Sequence, residues 1–390
     1  MIPRAAVAGW CAAAALLCAC AAPLLAQAPP EERAADDLPT FEMIGSAQIA
    51  MFNGVDSRRI GGLSGLMYDG GRWIAVTDDK RWSRVVELAV DVDAGAGRLD
   101  IRVIGVADLP GTQERPGAVR EYTDGEAIAP DGEGGFFIGF EEPTQVVRFR
   151  EAVRAGPGAA NSLGALRRLA VFPPPAVVRD HVRFNRGFES VAVVGNPRGG
   201  REVWAATEAA LDCDGPEAAP SHGSHCRAVV FDAETGAVLR QHVYETGPSP
   251  RGLYGLKSYN SLSEWIALAP GRLLSLERRF GMLAGYDATL RVVDLFRGET
   301  DVSGVASISE AIARDASSIR PLSTRTVTTV CTLGAPWSAN YEAMAIGPEL
   351  KDEKGGRLVI VLADDNFGDD GQVVNAALAL RLTTPSRGGR

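Results

Sequence analysis

Five stretches of the chain repeat one pattern of apolar and polar positions. Each opens on a small or polar turn, runs through apolar residues, crosses a Gly/Pro/Asp turn and ends in a second apolar run that stops at acidic residues. The first is Gly62-Leu63-Ser64-Gly65-Leu66-Met67-Tyr68-Asp69, a turn at Gly70-Gly71, then Arg72-Trp73-Ile74-Ala75-Val76-Thr77-Asp78-Asp79. The second runs from Asp124-Gly125-Glu126-Ala127 to Phe140-Glu141-Glu142, and the third from Gly187-Phe188-Glu189-Ser190 to Ala206-Thr207-Glu208. The fourth runs from Leu262-Ser263-Glu264-Trp265 to Leu276-Glu277-Arg278-Arg279, and the fifth from Tyr341-Glu342-Ala343-Met344 to Ala363-Asp364-Asp365-Asn366. Ser64, Glu126, Glu189, Glu264 and Glu342 mark the period and lie 62, 63, 75 and 78 residues apart.

Runs this short, bounded by turn residues, read as strands, and a period of this length is that of a propeller blade. Val85-Val86-Glu87-Leu88 before Asp91-Val92-Asp93-Ala94-Gly95, and Ala228-Val229-Val230-Phe231 before Asp232-Ala233-Glu234-Thr235-Gly236, supply outer hairpins. The pattern predicts an all-β chain: a single β-propeller of about six blades, five to seven being the range, each with four antiparallel strands. A pair of β-sandwiches is the competing architecture, but it needs no period. One helix is expected within 303–316 as a surface insertion, and 156–166 reads as a loop.

Composition agrees: 46% apolar residues fill a large core, while 44 Gly and 23 Pro leave little room for long helices. Residues 1–28 carry the charged, apolar and small-residue regions of a secretory signal, residues 29–45 read as a linker, and 46–385 as the propeller. A periplasmic or secreted protein is expected. Leu17-Cys18-Ala19-Cys20 also matches a lipoprotein cleavage box, which would anchor the chain through Cys20. Loss of residues 1–28 removes only Arg4 and leaves a net charge of −10, which argues against nucleic acid and anionic membranes and permits cations. The expected partner is a small-molecule phosphoester or ester substrate, for a monomer without a membrane span.

A propeller brings equivalent strand starts to one face near its axis. Glu126, Glu189, Glu264 and Glu342 are therefore expected to form a ring, with Asp78, Asp79, Glu141, Glu208, Glu277, Asp364 and Asp365 at neighbouring strand ends. Converging carboxylates repel unless protons, basic side chains or a cation intervene, and hard oxygen donors suit Ca²⁺ or Mg²⁺. We assign Glu126, Glu189, Glu342 and Glu277 as candidates for catalysis. Arg81, Arg186, Lys257 and Arg278 are candidates for holding substrate, and Asp78, Asp79, Glu141, Glu208, Asp364 and Asp365 for holding metal. The alternative is that these acids cap strand ends and pair with arginines structurally.

At these residues the chain resembles the phytase-like family described as having esterase-like activity. The resemblance covers most of residues 60–370. It rests on Gly62-Leu63-Ser64-Gly65-Leu66, Thr77-Asp78-Asp79, Asp124-Gly125-Glu126, Asn185-Arg186-Gly187-Phe188-Glu189, Leu276-Glu277-Arg278, Tyr341-Glu342-Ala343-Met344 and Asp364-Asp365-Asn366-Phe367. It implies a propeller and Ca²⁺-assisted phosphoester hydrolysis, in which metal ions polarise the phosphoryl oxygen. The rival reading is a non-catalytic propeller that binds or scaffolds in the cell envelope.

Other chemistries lack their motifs. No G-x-S-x-G elbow, G-x-x-x-x-G-K-[ST] loop or H-E-x-x-H is present. Cys213, His222, His225 and Cys226 include zinc donors, but their spacing is not that of a standard finger. Expected export favours a disulfide between Cys213 and Cys226, with Cys331 left over. His181 and His242 read as lone surface or core histidines.

Overall fold

The computed structural model describes residues 37–50, 55–112, 120–152, 162–251, 257–282, 285–331, 338–365 and 375–385. The signal at 1–28 and Cys20 lie outside the described residues.

Among the described residues, twenty strands form five four-stranded antiparallel sheets, the blades of one propeller. Blade 1 is β2 (Leu63–Asp69), β3 (Arg72–Thr77), β4 (Arg84–Asp93) and β5 (Arg98–Asp108). Blade 2 is β6 (Thr123–Pro130), β7 (Gly135–Glu142), β8 (Gln145–Glu151) and β9 (Leu166–Phe172). Blade 3 is β10 (Phe188–Gly195), β11 (Arg201–Ala210), β12 (His225–Asp232) and β13 (Val238–Glu245). Blade 4 is β14 (Ser258–Ala269), β15 (Arg272–Gly281), β16 (Gly285–Asp294) and β17 (Ser323–Cys331). Blade 5 takes β18 (Asn340–Glu349), β19 (Arg357–Asp364) and β20 (Asn375–Thr383) from late in the chain, and β1 (Thr40–Ile49) from early in it. The register of β1 on β20, from Thr40 opposite Thr383 to Ile49 opposite Asn375, closes the ring. The first-listed strands β2, β6, β10, β14 and β18 stand innermost, each beside the next around the axis.

The core is five wedges between neighbouring blades, and this explains why the inner strands read as unbroken apolar runs. Successive side chains of a strand point to opposite sheet faces, and here both faces meet another blade. In β3, Trp73 and Ala75 join the wedge against blade 5, whereas Ile74 and Val76 join the wedge against blade 2. In β19, Leu358, Ile360 and Leu362 face blade 1, whereas Val359, Val361 and Ala363 face blade 4.

The expected six blades are five. The two longer marker intervals hold loops in place of a further sheet. One contains the β11–β12 connection over 211–224 and the other the β16–β17 connection over 295–322. The second insertion carries the expected helix, α2 (Ile308–Arg314), whose Ile308 packs with Val302, Ile319 and Val243 in a small cluster of its own. A short helix over Ala176–His181 (α1) was not read from the sequence.

Ile360 is fully buried in a wedge and Leu239 is 45% exposed on an outer strand. Ile360→Ala is expected to lower unfolding free energy by about 2–5 kcal/mol, and Leu239→Ala by no more than about 0.5 kcal/mol. Denaturant melts of the two variants check this.

Candidate functional site

Each inner strand begins with a β-bulge, an extra residue that the pairing with its neighbour skips. The skipped residues are Ser64, Glu126, Glu189, Ser263 and Glu342. A bulge breaks the alternation of side chains and re-aims one of them. Five blades thus present five equivalent, buried polar side chains at the axis.

The register corrects one expectation by a single residue. Ser263, not Glu264, is the equivalent of Glu126, Glu189 and Glu342. A shift of one residue turns a side chain to the other face. Glu264 is fully buried, its carboxyl bonded by the backbone N–H groups of Trp265 and Leu66. Burial pushes its pKa well up.

A second set lies on the adjoining strands. The residues paired just before each bulge are Thr77, Phe140, Thr207, Glu277 and Ala363. One position further along stand Asp78, Glu141, Glu208, Arg278 and Asp364: four acids and one arginine. Glu277 therefore has the opposite parity and leaves the ring. It accepts from Tyr244 Oη at 2.7 Å, Asn260 Nδ2 at 2.8 Å, Gly247 N at 3.0 Å and Arg291 Nη1 at 2.8 Å, a structural clamp between blades 3 and 4.

Asp124 joins the ring, although the sequence reading treats it only as a turn. Its φ of +64° is one that blade 1 gives to a glycine, Gly62 at +61°. A non-glycine residue held in that region marks a constrained position. Lys80 Nζ stands 2.9 Å from its carboxylate and also bonds Asn185.

The acids fall into two triads. Donor oxygens of Asp78, Asp124 and Glu126 lie within 4.8 Å of one another, and so do those of Glu141, Glu189 and Glu208. Asp78 Oδ1 and Glu141 Oε2 are buried without a hydrogen-bond partner. Burial first, and the neighbouring carboxylates second, hold Asp78, Glu126, Glu141 and Glu189 well above the usual carboxylate range. The triads offer the hard oxygen donors that Ca²⁺ or Mg²⁺ takes.

Arg278 fills the remaining sector. It bonds Glu342, meets Glu208 at 2.7 Å and Glu189 at 4.0 Å, donates to Asn340 Oδ1 at 3.1 Å, and lies 5.7 Å over the Tyr259 ring. Asn340, another residue not read from the sequence, donates to Glu342 Oε1 at 3.0 Å. Arg186 joins Glu208 at 2.6 Å and Glu217 at 2.8 Å.

The other candidates stand elsewhere. Asp79 caps a turn by accepting from Arg81 N and Trp82 N, and Asp365 ties Gly62 N and Arg59 across blades 5 and 1. Arg81 and Lys257 are exposed. Cys213 and Cys226 are free thiols, which overturns the expected disulfide. Cys226 is buried on β12 with Sγ donating to Glu208 O, while Cys213 sits half-buried in the loop between β11 and β12. Nor do Cys213, His222, His225 and Cys226 converge on one metal-sized cluster.

A family model described as "Phytase-like: Esterase-like activity of phytase" matches residues 58–367. No curated protein matches the chain. Among solved structures the chain is similar to an endo-arabinase from Bacteroides thetaiotaomicron VPI-5482, at 10% identity and TM-score 0.41, covering 86% of this chain and 98% of that one. An α-L-arabinofuranosidase from Lactobacillus brevis matches at 10% identity and TM-score 0.40, covering 83% and 91%. The RS223 β-xylosidase matches at 9% identity and TM-score 0.44, covering 87% and 95%.

A raised carboxyl pKa has a defined sign in stability. The folded form is favoured while the group stays protonated, and stability falls as pH rises from the ordinary carboxylate range through the raised value. In EDTA, Glu189→Gln is therefore expected to be more stable than wild type at neutral pH. The gap should close in acid. Denaturant melts of both proteins across pH check the sign.

Proposed function

The chain belongs to the phytase-like family described by esterase-like activity, and we propose that its axial ring is the active site of a Ca²⁺-assisted hydrolase of phosphoesters or esters. The observation that carries this reading is the pair of carboxylate triads, in which oxygens of Asp78, Asp124 and Glu141 are buried without a hydrogen-bond partner. Buried like charges at such spacing are costly, and a divalent cation in each triad relieves the cost while making use of every acid.

Asp78, Asp124 and Glu126 would hold one ion, and Glu141, Glu189 and Glu208 the other. When bound, Ca²⁺ supplies polarisation of the phosphoryl or carbonyl oxygen and makes water more acidic. The chain's own groups do the rest. Arg278 is kept charged by its acid partners, and its Nε has no hydrogen-bond partner. That N–H offers a donor to an oxygen on which charge develops in the transition state. Glu342 and Asn340 orient the guanidinium through their contacts with it and with each other. Lys80 and Arg186 flank the mouth and align an anionic substrate, each steadied by one ring acid. We place the mature chain in the periplasm or outside the cell, on the pattern of residues 1–28.

Thermal unfolding in EDTA and then in millimolar Ca²⁺, with turnover of 4-nitrophenyl phosphate and 4-nitrophenyl acetate, tests the proposal. Ca²⁺ is expected to stabilise the wild type by about 2.7 kcal/mol at a hundredfold excess over its dissociation constant and to be required for turnover. Glu189→Gln should reduce the Ca²⁺ shift to that of the remaining triad and abolish turnover. Arg278→Lys should keep the Ca²⁺ shift and lose about 10²–10³ in kcat, the usual cost of one transition-state donor. A wild type with neither Ca²⁺ shift nor turnover would overturn the hydrolase in favour of a non-catalytic binding module.

A further inference from the structure

We infer that His181, Asp212 and Cys213 form a zinc site on blade 3, chemically unlike the axial ring and separate from it. The three residues come from two segments at the end of the blade that carries the ring: the last residue of α1, and the loop that follows β11. Their donor atoms, one imidazole nitrogen, one carboxylate oxygen and one sulfur, lie within 4.8 Å of one another. Tetrahedral zinc, with bonds of about 2.0–2.3 Å, needs such donors about 3.5 Å apart.

The backbone beneath them is held from several sides. Asp212 N donates to His181 O at 3.0 Å. Arg183 bridges the same two segments by donating to Ala210 O at 3.0 Å and Gly215 O at 2.8 Å. Ser307 Oγ donates to Cys213 O at 2.6 Å, and the next residue, Asp214, is locked in a fully buried pair with Arg227 at 2.6 Å.

The donor set decides the metal. The axial triads are all oxygen and suit a hard cation, whereas sulfur with imidazole and one carboxylate suits zinc. His181 Nδ1 lies 2.8 Å from Asp212 Oδ1, so the imidazole is already oriented. Binding exchanges the thiol proton for the metal: a sulfur–zinc bond forms, the S–H bond breaks and one proton passes to solvent. Zinc affinity rises with pH accordingly. Three protein ligands leave a fourth position for water.

Cobalt(II) reports such a site by thiolate-to-metal charge transfer, which an all-oxygen ring cannot give. The metal-stripped, reduced full chain is expected to develop a near-ultraviolet charge-transfer band with one equivalent of Co²⁺, and Zn²⁺ should bleach it. Glu126→Gln should retain the band and Cys213→Ser should lose it. His181→Gln should weaken Zn²⁺ binding by about 100-fold or more, beyond the 10–100-fold that outer groups cost. Asp212→Asn keeps the thiol and should weaken binding too, which covers the case of a poorly folded Cys213→Ser. No band in the wild type, or a band that survives Cys213→Ser, overturns the site.

Discussion

Neighbouring inner strands approach almost to backbone contact around the axis, and the rest of the molecule is arranged to permit it. A Cβ on Gly65 would fall 2.8 Å from Ala127 Cα, and one on Gly187 2.7 Å from Glu141 Cα. Both glycines adjoin a bulge residue or a ring acid. Side chains that cannot pass between the strands must leave at the bulges, and the bulges send them to the axis. Stability then has to come from further out, where the five apolar wedges lie. The same close approach that crowds the polar centre buries most of it.

A buried, crowded centre turns charge into the governing quantity. Eight carboxylates gather there against Lys80, Arg186 and Arg278. Arg278 is the member that breaks the fivefold equivalence. It occupies the position that the other blades give to Asp78, Glu141, Glu208 and Asp364, and it makes blade 4 the electropositive side of the ring. Ser64 and Ser263 thin the acids at the two remaining bulges. The outcome is an asymmetric centre in which the acids concentrate between blades 1, 2 and 3.

Much of this was legible in the chain. The period was visible because both faces of each inner strand are buried, so that the strands read as continuous apolar runs. The number of blades was not, because the 295–322 insertion lengthens an interval as a further blade would, and spacing cannot tell helix and loop from strand. The ring acids were legible as strand-end residues, but parity was not. Glu264 and Ser263, like Glu277 and Arg278, differ by one position, and only pairing register decides which of each pair faces the axis. Asp124 escaped because Asp-Gly is the ordinary signature of a turn, and nothing in the letters marks its positive φ. The expected disulfide failed for a related reason: spacing placed Cys213 and Cys226 on one loop, whereas strand alternation turns the Cys226 sulfur inward to Glu208.

Blade 5 is assembled from both ends of the described chain. Since Ile49 faces Asn375 and Thr40 faces Thr383, the sheet made from the earliest strand waits on the latest one. Contacts this distant in sequence are slow to form and contribute nothing until the intervening chain is ordered. Blades 1 to 4 are each contiguous and can condense as they emerge, but the acids of blades 1 and 5, including the Asp78 and Asp364 pair, come together only when that last seam closes. The two triads, which belong to blades 1, 2 and 3, can thus assemble before the seam closes, and only the meeting of Asp78 with Asp364 waits for the end of folding.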